Sequence, residues 1–408
     1  MKILLGRSAI RNLLYFGLRT LNTIVPKNNN QILFVSIPDY SDNAKALYEY
    51  IVANQMHQQY DIVWLVNDPK VLQILTQKGV KTYLEKSARG LYSIFRSKYI
   101  IGTHNNYCGI KAKNQYLVNL WHGVGLKAMG YLDRLETEDT LKHFKKGGEA
   151  DDILIATASI MRNSLVASFL IDPRKIVITG LPRNDCLFTD DGEKILANLL
   201  NRDVSKYSKL LLYMPTFRVG RGRVEGTTEH LDLLKSGLLN KFLRDNNILL
   251  VLKLHPLEEC SFSHDDLALC SENVIILKTE CLTTHLASIY EVLMNFDILI
   301  TDYSTIHFDF LLLNKPIIFL TPDLEQYSQT RGFLLEPYDF WTPGPKVTTI
   351  EMLIEEIQKC ISDSNYYGGE RATINNLVNQ FQDRKSCERV WEQIQSRIGD
   401  NPCKQKFR

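Results

Sequence analysis

The sequence predicts an α/β protein of two facing Rossmann-like domains with a cleft between them and a helical C-terminus. Three observations carry this. Short apolar runs alternate with helical stretches in two successive series, a polar stretch at 188–209 separates the series, and no strand signal follows residue 348. At 408 residues the chain also exceeds what one hydrophobic core usually serves. The expected divisions are a basic amphipathic segment at 1–28, a first domain at 29–190, a second at 208–347, and C-terminal helices at 348–408.

In the first series, QILFVSIP (31–38) reads as a buried strand, followed by a helix around 42–57. Further strands are expected at 61–68, 80–85, 98–105, 116–123, 151–159 and 175–182, with helical segments between them. The second series places strands at 210–218, 248–256, 273–278, 297–304 and 315–322, with helices at 230–245 and 284–295. Runs bounded by turn residues and separated by helical positions are the pattern of parallel βαβ units.

Composition is that of an ordinary globular chain, 45% hydrophobic and 23% charged, and a net charge of +2 gives no bulk electrostatic case for a nucleic-acid partner. The eight cysteines are scattered without a CxxC pair, which favours reduced thiols over a disulfide framework or a zinc site. Acidic pairs such as Asp151-Asp152 and Asp190-Asp191 read as solvated turns, so neither a metal nor another cofactor is expected. GxxxxGK[ST], GxGxxG and HExxH are absent, which removes the usual anchors of a P-loop ATPase, a dehydrogenase and a zincin.

The first 27 residues carry Lys2, Arg7, Arg11, Arg19 and Lys27, with Ile10, Leu13, Leu14, Leu18, Leu21 and Ile24 at helical spacing. Arginines interrupt the segment too often for a membrane-spanning helix, and no long apolar core precedes a cleavage site as in a signal peptide. It reads either as a basic amphipathic helix lying on an anionic leaflet or as a first helix packed on the body of the protein.

Several strands end in polar, phosphate-compatible groups, and strand C-termini face the ligand crevice of a doubly wound sheet. NLWHG ends in His122 and Gly123, TGLPRND in Arg183, Asn184 and Asp185, and YMPTFR in Thr216 and Arg218. LKLHP supplies Lys253 and His255, and ITDYSTIHFDF supplies Asp302, Ser304 and Thr305. His122 either caps its strand and satisfies a core hydrogen bond or is presented to the cleft. His255 is either core-satisfied or displayed at the rim, where Pro256 stops the strand. Ser304 and Thr305 sit where a helix should start, so they cap it, bind an anion, or do both.

WHGVGLKAMG, TGLPRND, YMPTFR, KLHP, ITDYSTIHFDF and QYSQTRGFLLEPYDFWTPGP, in this order, resemble the CDP-glycerol glycerophosphotransferase family, which makes the polyol-phosphate chains of teichoic acids and related capsules. The likeness spans about residues 98 to 360. Gly125 stands where the family usually has proline, and Leu181 where an aromatic is common. The resemblance implies a GT-B-like architecture, with the acceptor at the N-terminal domain and the CDP-polyol at the C-terminal one. It implies His122 as the general base that deprotonates an acceptor hydroxyl, for attack on the β-phosphorus of CDP-glycerol with loss of CMP.

By the same resemblance His255, Arg218, Ser304 and Thr305 hold the pyrophosphate, Asp302 orients their loop, and Arg331 and Gly332 help close the donor pocket. His255 is the second catalytic candidate. Gly123, Lys127, Arg183, Asn184, Asp185, Thr216 and Lys253 complete the expected binding set. The implied partners are CDP-glycerol or CDP-ribitol, an undecaprenyl-linked acceptor, and the inner-leaflet surface, with the enzyme peripheral on the cytoplasmic side of the membrane. More distant alternatives are a sugar-nucleotide glycosyltransferase or epimerase and a non-catalytic scaffold that binds lipid-linked polymer.

Overall fold

A computed structural model describes residues 15–216, 233–259, 272–330 and 332–399. Arg218, Arg331 and residues 1–14 of the basic segment lie outside the described residues. Among those described, seven parallel strands form the first sheet: β1 (Asn28–Val35), β2 (Asp61–Val66), β3 (Thr82–Leu84), β4 (Ser97–Gly102), β5 (Tyr116–Asn119), β6 (Ile153–Ala156) and β7 (Ile176–Ile178). Their spatial order is β3-β2-β1-β4-β5-β6-β7. A second parallel sheet holds β8 (Lys209–Tyr213), β9 (Ile248–Leu252), β10 (Val274–Ile276), β11 (Ile298–Thr301), β12 (Ile317–Leu320) and β13 (Lys346–Val347), in the order β10-β9-β8-β11-β12-β13. Both sheets thus reverse direction of growth once, between β1 and β4 and between β8 and β11, as doubly wound sheets do.

The inner parts of the strands are apolar because both faces are covered, although β1 opens on the polar run Asn28 to Gln31. In β1, Ile32 and Phe34 face one cluster with Trp64 and Val66, while Leu33 faces another with Val63, Leu65 and Ile100. A larger cluster joins the two halves, running from Trp121, Val124 and Leu126 to Tyr303, Phe308 and Leu335.

The structure departs from the sequence reading at two elements, and it shows how the expected C-terminal helices are shared between the halves. The expected helix at 284–295 is broken: a helix spans Thr279–His285, Leu286 turns left-handed (φ 51°), and 3-10 turns follow at Ile289–Glu291 and Leu293–Asn295. A Ser288–Glu291 capping box makes the restart. The two-residue β13 is too short to leave a periodic signal. The C-terminal helices do not form one layer. Ile350–Ser362 buries Leu353 and Ile357 on the second sheet, whereas Ser386–Gly399 buries Val390, Trp391 and Ile394 in the core of the first.

The helix at 15–24 packs on the body along one side and leaves apolar side chains exposed on the other. Leu18 and Val25 pack on the body, and the buried Asn22 donates to Ile110 O at 2.7 Å and Gln115 Oε1 at 2.8 Å. Tyr15, Phe16, Leu21 and Ile24 remain exposed, the last by 72%. No described helix is long and apolar enough to cross a membrane.

Candidate active site

The polar groups at the strand ends meet because the two halves are stitched together in front of them. Lys127 bridges Phe333, Ala128 N donates to Gly332 O at 3.2 Å, and Leu334 N donates to Leu126 O at 2.8 Å. Gly123, at φ 142°, lets the second half approach closely: a Cβ there would sit 3.4 Å from Thr305 Oγ1 and 3.3 Å from Arg183 Nη2. Two cavities result, one at each switch point.

The cavity at the β8/β11 switch point measures about 500 Å³ and collects Lys127, Thr216, Lys253, His255, Ser304 and Thr305, with Asp42 from the first half. Ser304 and Thr305 make no side-chain capping bond to the short helix Ile306–Phe310, so capping does not occupy either hydroxyl. Asp302 is fully enclosed beneath them. Its carboxylate accepts the main-chain N–H of Thr216 at 2.8 Å and of Ser304 at 3.1 Å, tying two strand ends together. It therefore positions the loop and does not line the cavity. His255 is exposed at the rim, where its carbonyl opens the helix Pro256–Glu259.

Lys253 needs a correction. Its ammonium donates to Leu254 O at 2.7 Å, Glu259 Oε1 at 2.6 Å and Thr279 Oγ1 at 2.9 Å, which uses all three protons. Burial lowers its pKa. Its ammonium is thus engaged within the cavity wall that it helps line.

His122 lines the other cavity, at the β1/β4 switch point. The chain leaves β5, turns through a left-handed Trp121 (φ 52°), and presents the imidazole. Three bonds hold that unfavourable turn: Trp121 N to Asn119 Oδ1, and Asn43 Nδ2 to the carbonyls of Leu120 and Trp121, each at 3.0 Å. His122 stacks between Trp121 at 4.3 Å and His104 at 4.6 Å. Its Nδ1 faces Thr103 O at 3.3 Å, and a carbonyl can only accept, so the network assigns the proton to Nδ1 and the lone pair to Nε2. Crowding by the cleft walls, and then His104, hold its pKa below the usual histidine value. Part of the ring stays open to solvent, which limits the shift. The imidazole is a neutral base at neutral pH.

Arg183, Asn184 and Asp185, expected to bind substrate, line neither cavity. Arg183 is 4% exposed and donates to Asp42 at 2.9 Å, Asp309 at 2.8 Å and His122 O at 3.1 Å, while Asn184 donates to Asp309 at 2.9 Å. Burial disfavours the guanidinium charge, but the carboxylates of Asp309 and Asp42 outweigh it and raise the pKa. Asp185 accepts the N–H groups of Ser386 at 2.9 Å and Cys387 at 2.8 Å, at the start of the last helix. The PRND motif thus joins the two halves and anchors the start of the last described helix. Gly332 serves in the same way, by its main chain.

Three residues escaped the sequence reading. His104 ends β4 as His122 ends β5, so the rule that strand ends carry function could have found it. Asn43 and Asp42 stand at the start of a helix and gave no such signal. Below the site, Asn119 Nδ2 bridges Asn105 Oδ1 at 2.7 Å and the enclosed Asp151 Oδ2 at 3.0 Å. Burial pushes Asp151 up to about 7, with the Asn119 bond opposing. A carboxyl whose folded pKa is raised contributes most stability below its ordinary value of 3.8, and loses it as pH climbs towards about 7. Asp151→Asn should therefore gain stability over wild type between pH 5 and 8, by ~2–4 kcal/mol in urea unfolding. A difference independent of pH would exclude that role.

A family model described as CDP-glycerol:poly(glycerophosphate) glycerophosphotransferase matches residues 18–396. The chain is 28% identical over 371 residues to a teichoic acid poly(glycerol phosphate) polymerase of Bacillus spizizenii, covering 86% of this chain and 88% of that one. It is 26% identical over 398 residues to a teichoic acid ribitol-phosphate primase of the same organism, covering 93% and 94%. A variant of the wall teichoic acid polymerase TagF soaked with CDPG has the same fold, with TM-score 0.76 at 19% identity over 98% of this chain and 99% of that one. Two parallel-sheet domains of GT-B type, strand-end residues gathered between them, and a family match over nearly the whole chain lead to one assignment: the chain belongs to the CDP-glycerol:poly(glycerophosphate) glycerophosphotransferase family, transferases of teichoic acid synthesis.

Proposed function

We propose that the protein transfers glycerol phosphate from CDP-glycerol to a hydroxyl of a lipid-linked acceptor and releases CMP. The observation that carries the reading is the tautomer of His122: with the proton held on Nδ1 by Thr103 O, the Nε2 lone pair is left free on an imidazole that lines the first-sheet cavity. That nitrogen takes the acceptor proton, and the oxygen forms a bond to the β-phosphorus as the bridge to the α-phosphate breaks. CMP leaves with the bridging oxygen, and His122 returns its proton to solvent. Ser304, Thr305, Lys127, Thr216 and His255 hold the pyrophosphate in the second-sheet cavity, where hydroxyls and cations offset the charge on the transferring group. Gly123 gives the room for that approach.

The test is CMP release from CDP-glycerol and, separately, CDP-ribitol, with lipid-linked acceptors. Release from CDP-glycerol is expected. Release from CDP-ribitol alone would favour the second reading, which the ribitol-phosphate relative supports. Release from neither would sink the phosphotransferase reading.

The same reading places the protein on the cytoplasmic face of the membrane, as a peripheral enzyme. It is supported by the exposed apolar residues of the first helix and by Arg19 and Lys146, the latter 5.8 Å from the Tyr15 ring. Phe16→Glu combined with Ile24→Glu should weaken partition onto anionic vesicles by about tenfold or more without changing stability. Unchanged partition would remove this helix from the membrane contact.

A further inference from the structure

The cavity at the β1/β4 switch point, which His122 lines, shares no lining residue with the nucleotide-compatible one among the described residues, and its chemistry is different. It measures about 430 Å³, within the usual range of small-molecule sites, ~300–1,000 Å³. We propose that it is the acceptor compartment, and that the group it takes is a neutral glycosyl unit and not a chain end carrying phosphate. This rests on the transferase reading for its role in the reaction, but not for its ligand chemistry.

One wall is aromatic. Trp121 meets Phe169 edge-on, with ring centres 5.3 Å apart, and Phe169 meets Phe144 in the same way at 5.1 Å. These interlocked rings form a rigid apolar surface, suited to the C–H face of a pyranose. A short polyol phosphate has no such face.

Three imidazoles, His104, His122 and His143, line the polar edge with Asn105 and Asn106, and the first two are stacked. His104 and His122 lie nearly parallel, 10° apart with centres 4.6 Å apart. Thr103 holds both: its carbonyl takes the Nδ1 proton of His122, and its hydroxyl accepts Ile37 N–H at 3.3 Å and pairs with His104 Nδ1 at 2.9 Å. The network leaves an acceptor at His122 Nε2, and we assign the Thr103 hydroxyl as donor to His104 Nδ1, which leaves a donor at His104 Nε2. A hydroxyl donates and accepts, and adjacent hydroxyls of a sugar ring can use both nitrogens at once. His122 then holds the reacting hydroxyl, and His104 the oxygen next to it.

Charge makes the discrimination. Glu136 Oε2 is enclosed at this cavity with no hydrogen-bond partner among the described residues, and no lysine or arginine is among the described residues lining it. Such a carboxylate accepts O–H or N–H from a sugar and repels a phosphate. The ammonium side chains of the site, Lys127 and Lys253, border the other cavity.

The experiment titrates the full chain, without nucleotide donor, with methyl hexopyranosides and with glycerol phosphate, reading tryptophan fluorescence. Quenching by a glycoside is expected, unaffected by saturating CMP and weakened about tenfold in Phe144→Ala and His104→Ala. His104→Gln, which keeps an N–H donor, should restore part of the affinity, an effect that a purely structural role would not give. Glu136→Gln should raise the affinity for glycerol phosphate relative to the glycoside. Preference of the wild type for glycerol phosphate, absence of quenching by any glycoside, or indifference to the Phe144 and His104 changes would each overturn the proposal. Glycoside binding without CMP release in the transfer assay would remove the transferase reading and leave the compartment. CMP release with no glycoside binding would do the reverse.

Discussion

Alanine at His122 is expected to lower kcat for CMP release by about 10²–10⁴-fold, the usual contribution of a positioned general base. CDP-glycerol binding should stay within about twofold, because the imidazole lies on the acceptor side of the cleft and touches no part of the proposed pyrophosphate site. The pH profile is the more specific readout. Crowding and His104 hold the His122 pKa below its ordinary 6.5, so the neutral base persists into mild acid. The acid limb of kcat/KM should fall below pH 6.5 in the wild type and move upward in His104→Ala, where the second-largest lowering cause is gone. An unchanged kcat in His122→Ala, or equal losses in kcat and donor affinity, would exclude the base role.

Asp309→Ala is expected to cost about 3–5 kcal/mol of stability, the largest effect of any single change outside the cleft. Asp309 and Arg183 are 2% and 4% exposed by side chain and pair at 2.8 Å, with Asn184 Nδ2 at 2.9 Å and Tyr290 Oη at 3.3 Å on the same carboxylate. Removing the carboxylate leaves an enclosed guanidinium with Asp42 as its remaining ion-pair partner among the described residues. The cost comes mainly from that uncompensated charge. The double change Arg183→Met with Asp309→Leu should therefore recover much of the loss in urea unfolding. Activity should fall in both, since Arg183 also donates to the His122 carbonyl and steadies the loop. If the double variant is as unstable as the single one, packing and not charge holds this junction.

The alternation of apolar runs and helical stretches was enough for two Rossmann-like halves, because strands covered on both faces must be apolar along their whole length. Strand ends were enough to bring His122, Thr216, His255, Ser304 and Thr305 to notice. Strand order makes the C-terminal edge of such a sheet its binding edge, whatever the chemistry. The break at Leu286 was not legible, since a leucine in the left-handed region leaves no mark on periodicity and is held there by its surroundings.

What the sequence by itself determined is the fold, the family and the histidine that ends β5. Only the tertiary structure decided which polar residues face a cavity and which one face each other. Lys253 and the PRND motif look like phosphate ligands in one dimension, yet Glu259 and Asp309 take their protons. His104, 18 residues before His122 in the chain, becomes its stacking partner because β4 and β5 are neighbours in the sheet. Charge pairing and ring stacking depend on distances of a few ångströms between segments far apart in sequence. Those distances exist only once both sheets are packed.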